Sequence, residues 1–232
     1  VFILSLDTTT RGGSVAITRG EQLLAVVPGD GARSHAERLP GEMASALAKA
    51  GLQRADLELL AVATGPGAFT GLRIGLAAMQ GLAMTLRLPV IGISALDALA
   101  DEVTDAEAAL VAPWMDAQRG EVFATLIDRP SNEVLESPLA AHPAQVLEAW
   151  RSHLENRRAV FIGDAAERDA ALIAGAGAGQ WITRVPPLLA PALARLAGRR
   201  AAAGEGGLPH QLTPIYVRRP DVEIERERRD RP

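Results

Sequence analysis

Two aspartates close apolar runs in this chain. Asp7 ends Phe2-Ile3-Leu4-Ser5-Leu6, and Asp116, 109 positions later, ends Leu110-Val111-Ala112-Pro113-Trp114-Met115. Each is followed by a turn-forming stretch and a second β-prone run: Thr8-Thr9-Thr10-Arg11-Gly12-Gly13 in the first case, Ala117-Gln118-Arg119-Gly120 in the second. A strand ending in a carboxylate beside free turn amides is how two-lobed nucleotide-binding folds place Mg²⁺ and phosphate. The plainer alternative is an aspartate that caps its own turn. A third stretch, Gly65-Pro66-Gly67-Ala68-Phe69-Thr70-Gly71-Leu72-Arg73-Ile74-Gly75, leads from an apolar strand into a helix and offers amides to an anion. It fits neither well-known phosphate loop. Thr70 stands where the dinucleotide fingerprint needs its third glycine, and Lys49 is the only lysine in the chain. An anion site and a tight strand–helix turn are both open at this point.

The remaining chemistry-bearing residues are few. His35, His142, His153 and His210 include no pair at the three- or four-residue spacing used by helical metal ligands, so no metal site is expected. Ser34 precedes Glu37 by three, the spacing of a helix cap, which accounts for it without nucleophilic chemistry. There is no Gly-x-Ser-x-Gly elbow. The absence of cysteine removes disulfides and thiolates and fits a reducing cytosol. No catalytic residue is assigned.

Short β-prone runs at Phe2 to Leu6, Ser14 to Thr18 and Gln22 to Val27 predict a three-stranded meander. A helix follows from Ser34, with Leu39, Met43, Ala46, Leu47 and Ala50 at helical intervals and Pro40 expected to kink it. Next come a strand near Leu59, the glycine-rich turn, a helix to about Leu86, a strand at Pro89 to Ile93, and a helix opened by Ser94. That order predicts a mixed sheet with helices on its faces. The strand, aspartate, turn, strand pattern then restarts near Leu110, which suggests a duplicated architecture with a cleft between two lobes. Later elements are expected at Ala144 to Asn156 (helix), Ala159 to Ile162 (strand), and near Ala165 and Pro191 (helices). The lobes are placed at 1–108 and 109–217, and residues 218–232, mixed arginine and acid, are expected to form a mobile charged tail.

Composition limits the partners. A formal net charge of −4 over 232 residues argues against a chain that grips nucleic acid alone. No apolar run approaches the length of a membrane span and no signal segment is read at Val1, so a soluble cytoplasmic protein with no membrane contact is expected.

Six segments together resemble the TsaB family, also called YeaZ. They are Asp7-Thr8-Thr9, Ser34-His35-Ala36-Glu37-Arg38-Leu39-Pro40, the Gly65 to Gly75 run, Ile91-Gly92-Ile93-Ser94, Asp116-Ala117-Gln118-Arg119-Gly120-Glu121-Val122 and Pro214-Ile215-Tyr216-Val217-Arg218. The resemblance implies a duplicated actin-like, Hsp70-like ATPase (ASKHA) fold of the α/β class, two lobes each with a mixed sheet and flanking helices. It implies a non-catalytic partner of TsaD in the threonylcarbamoyl transfer that forms threonylcarbamoyladenosine in tRNA. A TsaE-like ATPase would join the assembly, the chain alone would be a homodimer, and tRNA would be met only through the complex. No cofactor is expected in the isolated chain, while ATP or ADP with Mg²⁺ can enter in the complex. Thr8, Thr9 and Thr10 stand where related kinases and chaperones carry glycine, and only His35 lies near the place of TsaD's histidine pair. Both departures imply a site without its chemistry. An active kinase or metallopeptidase on the same fold is the alternative.

The helix from Gly71 to Leu86 is apolar nearly all round, so one face should remain for a second protein. Leu39, Met43, Arg73, Ile74, Ala77, Ala78, Gln80 and Gly81 are the expected partner or dimer contacts. Asp7, Thr8, Thr9 and Asp116 are the expected vestigial or interfacial nucleotide contacts.

Overall fold

The computed structural model describes residues 1–104, 108–176, 180–184 (backbone) and 188–218. The first half runs β1 (Phe2–Asp7), β2 (Ser14–Arg19), β3 (Gln22–Pro28), α1 (His35–Ala50), β4 (Leu59–Gly65), α2 (Phe69–Leu86), β5 (Val90–Ser94) and α3 (Ala95–Asp101). The second runs β6 (Leu110–Asp116), β7 (Val122–Asp128), β8 (Glu133–Ala141), α4 (Pro143–Ala149), α5 (Arg151–Leu154), β9 (Arg158–Ile162), α6 (Asp164–Arg168), α7 (Ala170–Gly175), β10 (Gln180–Arg184) and α8 (Ala190–Ala202). Two five-stranded sheets result, ordered β3-β2-β1-β4-β5 and β10-β9-β6-β7-β8. Read from the hairpin side, the two orders are the same. In each, an antiparallel meander continues into parallel strands.

The duplication expected from the aspartate repeat is therefore present. Asp7 pairs with Ser14 and Asp116 with Val122, so both carboxylates terminate the first strand of their own sheet. β4 is buried from Leu59 through Gly65, as a central strand covered on both faces must be. Burying each Leu or Val of such a strand is worth roughly 1.5–3 kcal/mol relative to exposure.

The capping site at Ser34 forms with a variation. The Glu37 carboxylate accepts from Ser34 N–H at 3.0 Å and from the Ser34 hydroxyl at 2.8 Å. Gly51 closes α1 in the left-handed conformation. Helix α1 continues through Pro40, which lies in its second turn. At Ser94 the hydroxyl accepts from Asp97 N–H and opens α3.

Several expectations need correction. The helix expected at 144–156 is two helices, α4 and α5, divided at Trp150. Strand β8 was not anticipated. It lies at the sheet edge, and Pro138 falls where its register with β7 shifts between Ala124 and Leu126, an edge irregularity of the kind in which proline is tolerated. The strands of the two sheets fall on either side of residues 108 and 109, while one later helix returns to the first sheet. Helix α8 packs on the first sheet, where Leu193, Ala194 and Ala197 share a core with Ile3, Leu59, Ala61 and Ile93. Ser5 Oγ donates to Ala190 O at 2.7 Å and Ser14 Oγ accepts from Ala190 N at 3.1 Å, fixing the start of α8 on β1 and β2. The same core takes in α3 and the second-lobe residues Val111, Met115, Val160 and Ile162, so it joins the lobes. Arg218, placed in the tail, pairs with Glu121 at 2.7 Å. Residues 219–232 lie outside the described residues.

Candidate functional site

Three features are candidates for function, two at the ends of the central strands and one along α2. The first is the glycine run. A Cβ at Gly67 would stand 2.6 Å from the Thr9 carbonyl oxygen, and one at Gly71 or Gly75 would collide with the Thr8 carbonyl or hydroxyl. Ala68 N–H donates to Thr9 O at 3.0 Å. On the other flank Ile215 N–H donates to Thr64 O at 2.7 Å. The glycines thus let the first turn lie directly on the start of α2, and Gly65 lets the backbone of Ile215 lie against the end of β4. This favours the tight-packing account of the motif, since the turn's close neighbours are protein backbone.

The second feature is the pair of aspartate turns. In the first, Asp7 Oδ1 accepts from Thr9 N–H at 2.8 Å and from the Thr9 hydroxyl at 2.6 Å. Asp7 is 3% exposed, and burial pushes its carboxyl above the usual range despite those bonds. The turn itself is held by Arg38 of α1, which donates to the carbonyls of Arg11 and Gly12 and to Glu42 at 2.6 and 2.7 Å. Arg38 Nη2 also lies 2.7 Å from His35 Nδ1. In the second turn, Asp116 meets Arg168 at 2.7 Å and takes the Gln118 side-chain amide at 2.9 Å. Asp164 Oδ1 accepts Asp116 N–H at 2.8 Å, and Arg168 continues to Asp169, whose carboxylate also takes Trp114 Nε1 at 2.9 Å.

Between the turns lies an interlobe cleft of about 260 Å³, lined by Asp7, Thr10, Gly13, Ser14, Leu99, Met115, Asp164, Leu188 and Leu189 among others. Of the expected nucleotide contacts only Asp7 lines it. Thr8 and Thr9 are buried beneath the glycine run, and Asp116 turns to Arg168 instead. Asp164 and Arg168 were not anticipated. They arrive 48 and 52 residues after Asp116, and no local spacing announces them.

The third feature is the outer face of α2. Arg73, Ala77, Gly81 and Met84 are exposed, Met84 by 71%, and a Cβ at Gly81 would meet nothing. These positions follow one another at helical intervals and form a low ridge. The other expected contacts sit differently. Leu39 is 3% exposed and belongs to the core under α1 and α2. Met43, Ile74 and Ala78 are half-buried against the same core. Gln80 spends its amide on the carbonyls of Pro209 and Leu212, at 3.0 and 3.2 Å. Arg73 lies over the Phe69 ring at 4.0 Å and donates to Tyr216 Oη at 3.1 Å. Exposed Tyr216 and Ile215 extend the surface beside the start of α2.

The sequence family described as TsaD, tRNA N6-adenosine threonylcarbamoyltransferase, matches residues 18–147, more than half of the chain. The Escherichia coli tRNA threonylcarbamoyladenosine biosynthesis protein TsaB is 35% identical over 136 residues, 57% of each protein. The chain belongs to the TsaB (YeaZ) branch of this family. A Pseudomonas aeruginosa crystal structure, described as similar to the peptidase YeaZ, superposes with a TM-score of 0.77 at 29% identity, covering 94% of this chain and 99% of that one. The fold reaches further than the TsaB family. An activator of 2-hydroxyisocaproyl-CoA dehydratase from Clostridium difficile, solved with ADPNP, has a TM-score of 0.52 at 13% identity over 88% of this chain and 97% of its own. The expected actin-like ATPase fold is thus observed, with two mixed sheets and flanking helices. Among the described residues no group of three or more His, Cys, Asp or Glu is placed to hold a metal ion, and no helix is long and apolar enough to cross a membrane.

Proposed function

We propose that this TsaB-family chain serves the formation of threonylcarbamoyladenosine in tRNA as a non-catalytic partner of a TsaD-like protein. The observation that carries the reading is the exposed ridge of α2, Arg73, Ala77, Gly81 and Met84, on a helix whose other sides are already covered. Small residues at helical spacing let a second helix approach closely, and Met84 adapts to the surface it meets. The chain alone pairs with a second copy through this face, and the TsaD-like protein takes that copy's place in the complex. A TsaE-like ATPase joins there. tRNA is reached through the assembly, because a chain of net charge −4 has few phosphate contacts of its own to give. ATP or ADP with Mg²⁺ enters, if at all, at the complex. The work is cytoplasmic.

The turn chemistry supports a partner role over catalysis. Both turns that would face a nucleotide are engaged by the chain's own arginines, and the cleft between them presents two carboxylates to a polyanion. What the chain supplies to its partner is preference for one conformation of that partner, and its effect is bounded by its differential affinity for that state.

Ala77→Glu tests the reading. The position is exposed, so the variant is expected to fold and melt like the parent. An unpaired charge inside an interface must be desolvated, so association with the cognate TsaD-like protein should weaken by several kcal/mol, on the order of 2–5. Gel filtration and sedimentation read both the mixed complex and the homodimer. Undiminished association of a folded variant would sink the docking face. Separately, ATP hydrolysis by the pure chain at about 1 per second or faster, lost in Asp7→Ala, would restore the kinase-like alternative.

A further inference from the structure

Asp7 and Asp116 hold matching positions in the two sheets, yet among the described residues only Asp116 is hydrogen-bonded to a cation. Arg168 stands 2.7 Å from Asp116. At Asp7, Oδ1 is occupied by Thr9, and among the described residues no group donates a hydrogen bond to Oδ2. Arg38, the cation that acts on Asp7 from beyond the turn, is committed to Glu42 and the carbonyls of Arg11 and Gly12. Asp7 as a residue is 3% exposed, and its second oxygen opens only on the cleft, so burial favours the protonated form and a positive group in the cleft would favour the carboxylate. That oxygen belongs to a side chain lining the interlobe cleft, where the second-lobe carboxylate of Asp164 acts on it as a like charge.

The cleft's chemistry defines what could answer this need. No lysine, arginine or histidine is among its described lining residues, so a nucleotide's phosphates would meet two carboxylates and no counter-charge. Pro28, Leu99, Met115, Leu188 and Leu189 make much of the wall apolar. Two carboxylates can also serve Mg²⁺ when phosphate oxygens and water complete its octahedron, so MgATP is the competing occupant that the test must exclude. The hydroxyl of Ser14 is taken by Ala190 N–H, and that of Thr10 by Gly13 N–H. At about 260 Å³ the space lies below the roughly 300 Å³ at which drug-sized sites begin, so the occupant is small.

We propose that the interlobe cleft binds a small aliphatic amine, with an ammonium group against Asp7 and its methylene chain along Leu99, Met115 and Leu189. A diamine would in addition reach Asp164 and so touch both lobes at once. An ammonium has three donors and no acceptor, which suits an open carboxylate oxygen, and its alkyl stem suits the wall. In the duplicated fold it would do for the first turn what Arg168 does for the second.

The isolated full chain serves for the test, so the result is separable from the docking reading. Of the four methionines, Met115 lines the cleft while Met43, Met79 and Met84 lie elsewhere. With methyl-labelled methionine, titration with butylamine or 1,4-diaminobutane should shift Met115 saturably and leave Met84 in place. The diamine should bind about tenfold more tightly, the increment of one further partly screened ion pair. Asp164→Asn should erase that tenfold advantage and leave butylamine binding unchanged. Asp7→Asn keeps the oxygen that Thr9 uses and should lose binding of both amines. Were that variant to misfold, the Asp164→Asn pattern still decides. Absence of a saturable Met115 shift up to on the order of 10 mM amine would overturn the proposal. So would unchanged binding in folded Asp7→Asn, or a Met115 shift produced by MgATP and not displaced by amine.

Discussion

In the first lobe an arginine closes the aspartate turn by binding its carbonyls, whereas in the second an arginine binds the aspartate itself. Arg38 comes from α1, on the far side of the meander, and is 4% exposed. Arg168 comes from α6, directly after the parallel strand β9, and its side chain is 41% exposed. The same duplicated frame therefore holds one turn from within and the other from its surface. Among the described residues, the difference leaves Asp7 buried with no cation hydrogen-bonded to it and Asp116 half-exposed with one. It also decides how much each arginine contributes, because a guanidinium in the interior leaves uncompensated groups behind when it is removed, while one at the surface returns its partner to water.

Removing the interior arginine should have the largest effect. Arg38→Met retains most of the apolar stem but strands the Glu42 carboxylate, whose side chain is 11% exposed, and the carbonyls of Arg11 and Gly12. The expected loss is about 3–5 kcal/mol of unfolding free energy, read by chemical denaturation. A loss below about 1 kcal/mol would mean that the turn holds without it, and the contrast between lobes would fail.

Arg168→Met is the matching change in the second lobe. Its partners Asp116 and Asp169 can both be reached by solvent to some degree, so screening discounts the ion pairs, and the expected loss is about 1 kcal/mol or less. Denaturation at low and high salt sharpens this. The Arg168 deficit should shrink as salt rises, since exposed pairs are screened, and the Arg38 deficit should stay nearly constant. Equal salt sensitivity in the two variants would erase the distinction between an interior and a surface closure.

How much of this arrangement could be read from the residues depends on how local its causes are. The meander, the start of α1, the strand at Leu59 and the repeat of strand, aspartate and turn were all legible, because alternation, caps and turn residues lie within a few positions of what they specify. Arg38 and Glu42, at helical i,i+4 spacing, could have been found by the same means. Strand β8 was hidden by Glu133, Glu136 and Pro138, which an edge strand tolerates and which break the pattern of a buried one. The Ala- and Arg-rich run at 190–202 signals a helix but not which sheet it covers, and it crosses back to the first lobe. Leu39, expected as a partner contact from its apolar helix face, lies in the chain's own core, because periodicity cannot separate a face turned to a partner from one turned inward. Asp164 and Arg168 act at a distance in sequence, so only the folded β9–α6 connection brings them to Asp116.

The smallest expected effect concerns what Arg38 does to its neighbour. His35 lies between the first turn and α2. Its ring edge approaches Gly71 and Gly13, the carbonyl of Thr10 faces it, and Arg38 Nη2 stands 2.7 Å from Nδ1. At that distance the guanidinium donates and the imidazole accepts, which requires neutral histidine. Burial, and then the Arg38 charge, hold its pKa below the usual 6.5, with the Thr10 carbonyl and Glu42 acting in the opposite sense. A histidine that is harder to protonate when folded binds fewer protons in the native state than in the unfolded chain. Its stabilising contribution is complete above the unfolded pKa near 6.5 and declines as pH falls from there toward the folded value. His35→Gln removes the titration while keeping an acceptor for Arg38, so its denaturation midpoint should fall less than the parent's between pH 7.5 and 5.5. The other three histidines are common to both proteins and cancel in the comparison. If parent and variant lose stability in parallel over that range, His35 is not held neutral against Arg38. The interior closure of the first turn would then be indifferent to acid over this range.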